Sequence, residues 1–146
     1  MLKRIEVFKE NGFEDKRFRT LLVHESPYMK VINFNFKAGQ ELPIHSHDIE
    51  GQLSIAVLDG VGQFLGSDGK ILEAHPGDVL ISDISEPHGV RAVTDLRVLV
   101  TIAPPICFGL IRQMGQAPGI NSGSGPPRVE KPGNESDLAE SQFPRQ

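Results

Sequence analysis

Three histidines are the residues of this sequence whose types and spacing point most directly to chemistry. His45 and His47 are two residues apart, and His88 follows much later in the chain. Neutral imidazole is the commonest protein ligand for first-row divalent metals. In an extended strand, residues i and i+2 point to the same face, so two such rings can reach one ion. Because His-x-His pairs also occur on solvated surfaces, the pair by itself indicates a metal site only weakly.

The elements that must position these histidines are short strands. Up to residue 112, brief apolar runs alternate with turn signals, and residues 28–36 alternate with the period of two that is typical of a strand. The glycines in the segment 66–69 predict a hairpin, because glycine adopts positive φ at little cost. We predict no helix in this region, and the predicted strands are 18–24, 28–36, 53–58, 63–65, 71–73, 78–82, 89–92 and 96–102.

Closing such strands into a barrel or jelly roll removes the exposed edges that would otherwise aggregate. The sequence therefore predicts an all-β fold. Inward-facing side chains should alternate with outward-facing ones along each strand. The apolar residues predicted to form the core or a pocket wall are Phe34, Phe36, Ile55, Val57, Phe64, Ile81, Val98 and Val100.

Composition narrows the class of protein. The chain has 146 residues, of which 38% are hydrophobic, and a formal net charge of -4. Its basic residues are interleaved with acidic ones, so no basic cluster suits nucleic-acid phosphates. The single cysteine, Cys107, excludes an internal disulfide, and its apolar neighbours suit a small hydrophobe rather than a nucleophile. No apolar run resembles a signal peptide or reaches the ~20 residues of a membrane span, which predicts a cytoplasmic protein.

The last part of the chain differs in amino-acid composition from the rest. Residues 113–146 are rich in Gly, Pro and Ser, and such a segment cannot bury enough apolar surface to offset its ordering entropy. We predict one barrel domain over residues 1–112 and a flexible tail over 113–146. A capped helix over 135–142 is compatible with the tail's sequence.

The segment around the first two histidines resembles the first motif of the cupin superfamily. In residues 39–60, Gly39 is followed by five residues, then by His45-x-His47, and the segment ends at Gly60. That order of glycines and histidines is similar to the pattern of the family, in which both histidines bind a metal ion.

The segment around the third histidine resembles the second cupin motif. Residues 77–92 begin with Gly77 and reach His88 at the spacing of the family's last metal-binding histidine, although Asp83 and Ser85 replace the usual Pro and Gly. The resemblance implies a small single-domain cupin of the cupin 2, RmlC-like type. It also implies that family's double-stranded β-helix, a jelly-roll barrel.

The fourth metal ligand is where the chain departs from the family. Gln52 stands near the position of the usual glutamate, and the segment from Gln52 to Gly60 is one residue longer than in the family pattern. We therefore predict a bulge near the start of this strand, which leaves Leu53 and Glu50 as alternative occupants of the glutamate position. The metal ligands that the resemblance implies are His45, His47, Gln52 and His88, with Glu50 or water as alternatives to Gln52.

The resemblance implies one divalent transition metal, which could be Fe, Mn, Ni, Cu or Zn. Open positions on such a metal suit a dioxygenase, or a related oxygenase or isomerase, acting on a small anionic organic molecule, with Gln52 or Glu50 positioning the substrate or accepting a proton. The alternative is a non-catalytic module that binds a sugar or another metabolite as a sensor. We expect a homodimer in which strands 5–8 and 18–23 pair between subunits, and neither nucleic acid nor membrane as a partner.

The remaining candidate residues receive structural interpretations. His24 and His75 lie beside turn signals, which favours surface positions for both. Asp83 is interpreted as a turn residue, or as a neighbour of His88 outside the metal's own ligands. Arg91 and Arg97 are compatible with an anion site at the barrel mouth, but exposed strand positions are the simpler interpretation.

Overall fold

The computed structural model describes residues 1–105, and within them the apolar runs form nine β-strands preceded by one turn of α-helix. Among these residues no helix has the length and apolar character needed to cross a membrane. The predicted tail, its helix and Cys107 lie outside the described residues. The elements are α1 (Val7–Glu10), β1 (Arg19–Glu25), β2 (Lys30–Phe36), β3 (Glu41–His45), β4 (Gln52–Asp59), β5 (Gly62–Gly66), β6 (Ile71–Ala74), β7 (Val79–Asp83), β8 (His88–Ala92) and β9 (Leu96–Ala103).

The strands form two antiparallel sheets. One sheet has the order β1-β2-β9-β4-β7 and the other has the order β3-β8-β5-β6. A single core contains side chains of both sheets, so the sheets pack face to face as in a jelly-roll barrel. The predicted all-β fold is confirmed, and each of the eight strands predicted between residues 18 and 102 is present with its ends shifted by two residues or fewer.

Alternation along the strands produces the core. In β2, Ile32, Phe34 and Phe36 face inward and are at most 1% exposed. Of the residues predicted for the core, Ile81 is the exception, since its side chain is 61% exposed. β7 is the edge strand of its sheet, and its inward residue is Leu80, which packs against the core. The prediction for Ile81 was therefore wrong by one step of the alternation.

The outer face of β2 is also buried, because the N-terminal segment crosses it. Asn33 and Asn35 are fully buried there. The side-chain amide of Asn11 donates a hydrogen bond to Oδ1 of Asn33 at 2.8 Å, and the amide of Asn35 donates to the carbonyl of Gly12 at 2.9 Å. Paired amides satisfy one another, so these polar side chains can be buried at little cost.

This packing overturns the prediction of a strand at residues 5–8. The segment instead contains α1, whose Phe8 lies 4.5 Å from the guanidinium carbon of Arg97. Phe13 lies 4.9 Å from the same atom, so Arg97 is held between two aromatic rings on the outer face of β9. Homodimerisation remains a prediction, but a strand at 5–8 cannot contribute to it.

The predicted bulge exists in β4, but at the other end of the strand. Residues 52–57 pair with β9 in regular register, and the register shifts between Val57 and Asp59. Gly60 follows with φ of +86°, and a Cβ atom there would lie 1.9 Å from the carbonyl oxygen of Asp95. The additional residue is thus accommodated at the β4–β5 turn, because glycine allows the two chain segments to approach closely.

Replacement of Gly60 by alanine tests this account of the turn. We expect Gly77→Ala to lower the free energy of unfolding by about 1–2 kcal/mol, because Gly77 has φ of +93° and open space around it. Gly60→Ala has a similar φ penalty and adds a steric clash, so it should cost about 1–3 kcal/mol more. Urea unfolding of both variants measures the difference, and equal losses would contradict the close approach.

Candidate metal centre

Two of the three histidines are direct neighbours across strands. His45 ends β3, His88 begins β8, and the two residues pair in the antiparallel register. Their ring centroids are 4.5 Å apart, and the ring of His47 lies 5.4 Å from that of His45. His47 lies beyond the end of β3, so loop geometry and not strand alternation positions it. The structure therefore brings together the three histidines that the spacing singled out.

Ile84, in the β7–β8 loop, positions the loop that carries His47. The backbone N–H of His47 donates to the carbonyl of Ile84 at 3.1 Å, and the N–H of Ile84 donates to the carbonyl of Gly51 at 2.9 Å. The side chain of Ile84 is fully buried in the core. Loop 46–51 is therefore fastened at both ends to a residue that the core holds in place.

Backbone carbonyls determine the tautomers of His45 and His88. Nδ1 of His45 lies 2.7 Å from the carbonyl oxygen of Pro43, and Nδ1 of His88 lies 2.6 Å from that of Glu86. A carbonyl can only accept, so each Nδ1 carries the hydrogen and each neutral ring has its lone pair on Nε2. Backbone acceptors of this kind commonly orient metal-binding histidines.

Burial keeps the three imidazoles neutral. Burial, together with the neighbouring His45, lowers the pKa of His88 to about 4. Burial also lowers the pKa values of His45 and His47. Since a metal ion competes with protons for the same lone pairs, rings that remain neutral below pH 7 are ready to bind one.

Glu50 has a buried carboxylate oxygen, whereas the side chain of Gln52 is exposed. Oε2 of Glu50 is buried and finds no hydrogen-bond partner among the described residues, and the same holds for Nε2 of His45 and of His47. Gln52 is exposed, and its side-chain amide donates to Oδ1 of Asp83 at 3.1 Å. The expectation of a ligand at Gln52 thus conflicts with its position on the outer face, and the inward position beside it belongs to Leu53.

Gly51 separates the two candidate ligands. Residues 50 and 52 would share a face in an extended strand, but Gly51 has φ of +147°, which breaks the alternation. A Cβ atom at this position would lie 2.5 Å from Cδ of Pro104 and 2.6 Å from the carbonyl oxygen of Ala103. Glycine therefore permits the close approach of loop 46–51 to the end of β9.

The side chains present fit a divalent metal by chemistry and burial. In this conformation no group of three or more His, Cys, Asp or Glu side chains among residues 1–105 is arranged to hold a metal ion. Four buried side-chain atoms of the described residues nevertheless have no hydrogen-bond partner: Nε2 of His45, Nε2 of His47, Oε2 of Glu50, and Nδ1 of His24 on β1. An isolated buried polar atom is costly. A cation is a partner that suits the lone pairs of His45, His47 and Glu50.

A buried lysine lies at the same end of the barrel. Lys30 has a fully buried side chain, and its Nζ lies 2.7 Å from Oε2 of Glu25, which is 43% exposed. Lys30 pairs with Ile102 near the end of β9, at the end of the sheet where β4 begins with Gln52. Sequence analysis did not single it out, although its position in phase with the apolar residues of β2 was a usable signal.

A cavity of about 220 Å³ borders His88. It lies between the two sheets, and Leu72 of β6 and Leu80 of β7 form opposite walls with Phe64 of β5. Ser82 and His88 line its polar part. The cavity therefore gives a small molecule access to one of the candidate metal ligands.

The other sequence candidates lie apart from this cavity's lining. His75 is exposed as predicted, with Nδ1 3.5 Å from Oδ2 of Asp78. His24 is partly buried with no hydrogen-bond partner for Nδ1 among the described residues, so the surface interpretation was wrong for it. Arg91 lies 3.8 Å from Glu41 across the β3–β8 pair.

Comparison with known proteins defines the class. Residues 33–102 match the family model of the cupin domain. An RmlC-like cupin protein from Desulfovibrio desulfuricans is 55% identical, with a TM-score of 0.70 over 73% of this chain and 100% of that chain. The chain therefore belongs to the cupin family. No functionally curated protein matches it at a significant level.

More distant structures share the fold alone. A conserved protein with a double-stranded β-helix domain from Klebsiella pneumoniae has a TM-score of 0.65 and 20% identity, over 71% of this chain and 91% of that chain. Salicylate 1,2-dioxygenase from Pseudoaminobacter salicylatoxidans, in complex with gentisate, has a TM-score of 0.55 and 14% identity, over 66% of this chain and 28% of that chain. The same barrel thus occurs in proteins of different size.

The lowered pKa of His88 predicts how stability depends on pH. The unfolded chain binds a proton to this histidine near its ordinary pKa of 6.5, whereas the folded protein does so only near 4. Metal-free protein should therefore lose stability as the pH falls from 7 towards 4, because the unfolded state binds more protons. Melting temperatures between pH 7 and 5 measure this loss. His88→Gln should flatten the profile, and an unchanged slope would contradict the assignment.

Proposed function

We propose that this cupin binds one divalent transition metal through His45, His47, His88 and Glu50, and that it is a metal-dependent enzyme acting on a small organic molecule. The observation that carries the proposal is the set of buried, unpaired atoms: Nε2 of His45, Nε2 of His47 and Oε2 of Glu50. Elsewhere in proteins such atoms nearly always have partners. A cation is the partner that suits lone pairs of this kind.

The donor set limits the chemistry. When bound, a divalent ion with imidazole and carboxylate ligands supplies Lewis acidity, and Fe or Mn would also support reactions with dioxygen. The carbonyls of Pro43 and Glu86 hold two of the rings in orientation through Nδ1–H. Phe64 and Leu80 supply apolar surface in the cavity beside His88.

The enzyme proposal depends on the site and not on fold analogy. Salicylate 1,2-dioxygenase has the same barrel, but at 14% identity this likeness concerns the fold alone. What favours an enzyme here is that a cavity of about 220 Å³ borders His88, so a substrate can reach the centre without displacing the core.

Metal content is the first test. Protein from its native host should contain about one metal ion per chain, and the histidines supply most of the ligands, so His45→Ala and His88→Ala should lose it. His75→Ala is the matched control, because His75 is an exposed histidine far from the ligand set. Elemental analysis measures the content. Protein that is metal-free and also fails to take up Fe, Mn, Ni, Cu or Zn would end the proposal.

A second test identifies the fourth ligand. Glu50→Gln removes the buried carboxylate charge and should weaken metal affinity by roughly 10- to 100-fold. Gln52→Ala removes an exposed amide that binds Asp83, so it should leave affinity within about threefold. Competition with a chelating dye measures both constants. A larger loss of metal affinity in Gln52→Ala than in Glu50→Gln would instead favour Gln52 as the fourth ligand.

Turnover separates the enzyme from the sensor alternative. Metal-loaded protein should convert a small organic acid, or consume O₂ with it, only when the metal is present. His45→Ala should abolish this activity while the fold, checked by circular dichroism, persists. Saturable ligand binding without product or O₂ consumption would instead identify a binding module.

A further inference from the structure

The cavity beside His88 opens between two strand edges. β6 is the edge of the four-stranded sheet and β7 is an edge of the five-stranded sheet, and they do not pair with each other. Leu72 of β6 and Leu80 of β7 line the cavity from its two sides. The seam between these strands is therefore an entrance that the sheets leave open.

The lining of the cavity combines polar groups with an apolar part, and the space is small. Phe64, Leu72 and Leu80 come from three different strands, and Leu72 is 45% exposed at the seam. The volume of about 220 Å³ lies below the roughly 300–1,000 Å³ of sites for drug-sized ligands. A compact apolar body of a few bonded carbon atoms, such as one ring, suits this space.

One cationic side chain lies at this cavity. Among the described residues that line it, Lys70 is the one with a permanently charged ammonium group, and Glu86 is the acidic one. The backbone N–H of Lys70 donates to the carbonyl of Ser67 at 3.0 Å, and its carbonyl accepts from the N–H of Gly66 at 2.8 Å. The β5–β6 turn thus holds the backbone of Lys70 in place.

Gly66 connects this lysine to the candidate metal centre. Gly66 pairs with His88 across β5 and β8, and a Cβ atom on Gly66 would lie 3.5 Å from Cβ of Lys70. Lys70, Gly66 and His88 are thus consecutive neighbours across the sheet. Because Gly66 has no side chain, it leaves space between the ammonium stem and the imidazole.

We propose that the ligand of this cavity is a small monocarboxylate with an apolar body. It enters between β6 and β7, its body contacts Phe64, Leu72 and Leu80, and its carboxylate binds the ammonium group of Lys70. This inference rests on the proposed function, since it names the substrate class of that same centre. Glu86 opposes a second negative charge, which favours a monocarboxylate over a dicarboxylate.

Binding of benzoate and benzamide to the metal-loaded protein tests the charge. The two probes have nearly the same shape, so a carboxylate anchor should make benzoate bind at least tenfold more tightly by calorimetry. Lys70→Met should remove this preference and leave benzamide unchanged. Lys9→Met is the matched control, because Lys9 is an exposed lysine on α1. Equal affinities for the two probes, or unchanged benzoate binding in Lys70→Met, would overturn the proposal.

Two tryptophan substitutions on β6 test the entrance. Leu72→Trp places a larger ring in the seam and should weaken benzoate binding at least tenfold. Ile71→Trp is the control, since Ile71 is 51% exposed and absent from the cavity lining. Matching melting temperatures verify that both variants fold. Equal benzoate affinities in the two variants would place the entrance elsewhere.

The metal dependence separates this inference from the proposed function. Lys70→Met should keep the full metal content, because Lys70 is not among the proposed ligands. Benzoate titrated into metal-free protein still probes Lys70 and the apolar walls. A protein that takes up no metal but shows the charge preference would overturn the metal proposal and keep the anchor. A protein that binds metal but shows no preference for benzoate over benzamide would overturn the Lys70 anchor and keep the metal proposal.

Discussion

A polar atom that is buried away from water must find a partner, and this requirement organises the whole barrel. The amides of Asn33 and Asn35 are satisfied by the N-terminal segment, and buried Lys30 pairs with Glu25. Among the described residues, the unsatisfied buried side-chain atoms are one nitrogen of His24 and three atoms of the candidate metal centre. Most of the unpaired buried side-chain atoms among the described residues therefore belong to the candidate metal centre.

The same burial sets the electrostatics of the site. Desolvation lowers the pKa of each of the three histidines, so the protein presents neutral donors where charged imidazolium groups would repel a cation. Carbonyl acceptors on Nδ1 direct the free lone pairs to Nε2. The carbonyls of Pro43 and Glu86 each lie two residues before the histidine that they orient. Local chain geometry therefore sets the tautomer of each ring, and burial keeps the ring neutral.

Much of the fold was readable in the sequence because strand alternation is a local property. The period of two in β2 and the glycines of the β5–β6 turn predicted their elements directly. β3 was not predicted, because its short run contains Pro43 and little apolar periodicity. Residues 5–8 were predicted to be a strand that pairs between subunits, whereas they overlap a helical turn whose Phe8 contacts Arg97. The bulge in β4 was expected from spacing, but its place depended on the close approach of Gly60 to Asp95.

The sequence by itself determined the family, the all-β class and the choice of the three histidines as candidate ligands. Motif spacing and strand alternation are local properties that can be read directly from the order of residues. Only the tertiary structure distinguishes Glu50, which has a buried carboxylate oxygen, from Gln52, which is exposed. The two residues are separated in the sequence by Gly51 alone, whose φ of +147° breaks the strand alternation between them. That conformation depends on the contacts of loop 46–51 with Ile84 and the end of β9. Such contacts join segments distant in the chain, so no local pattern could reveal them.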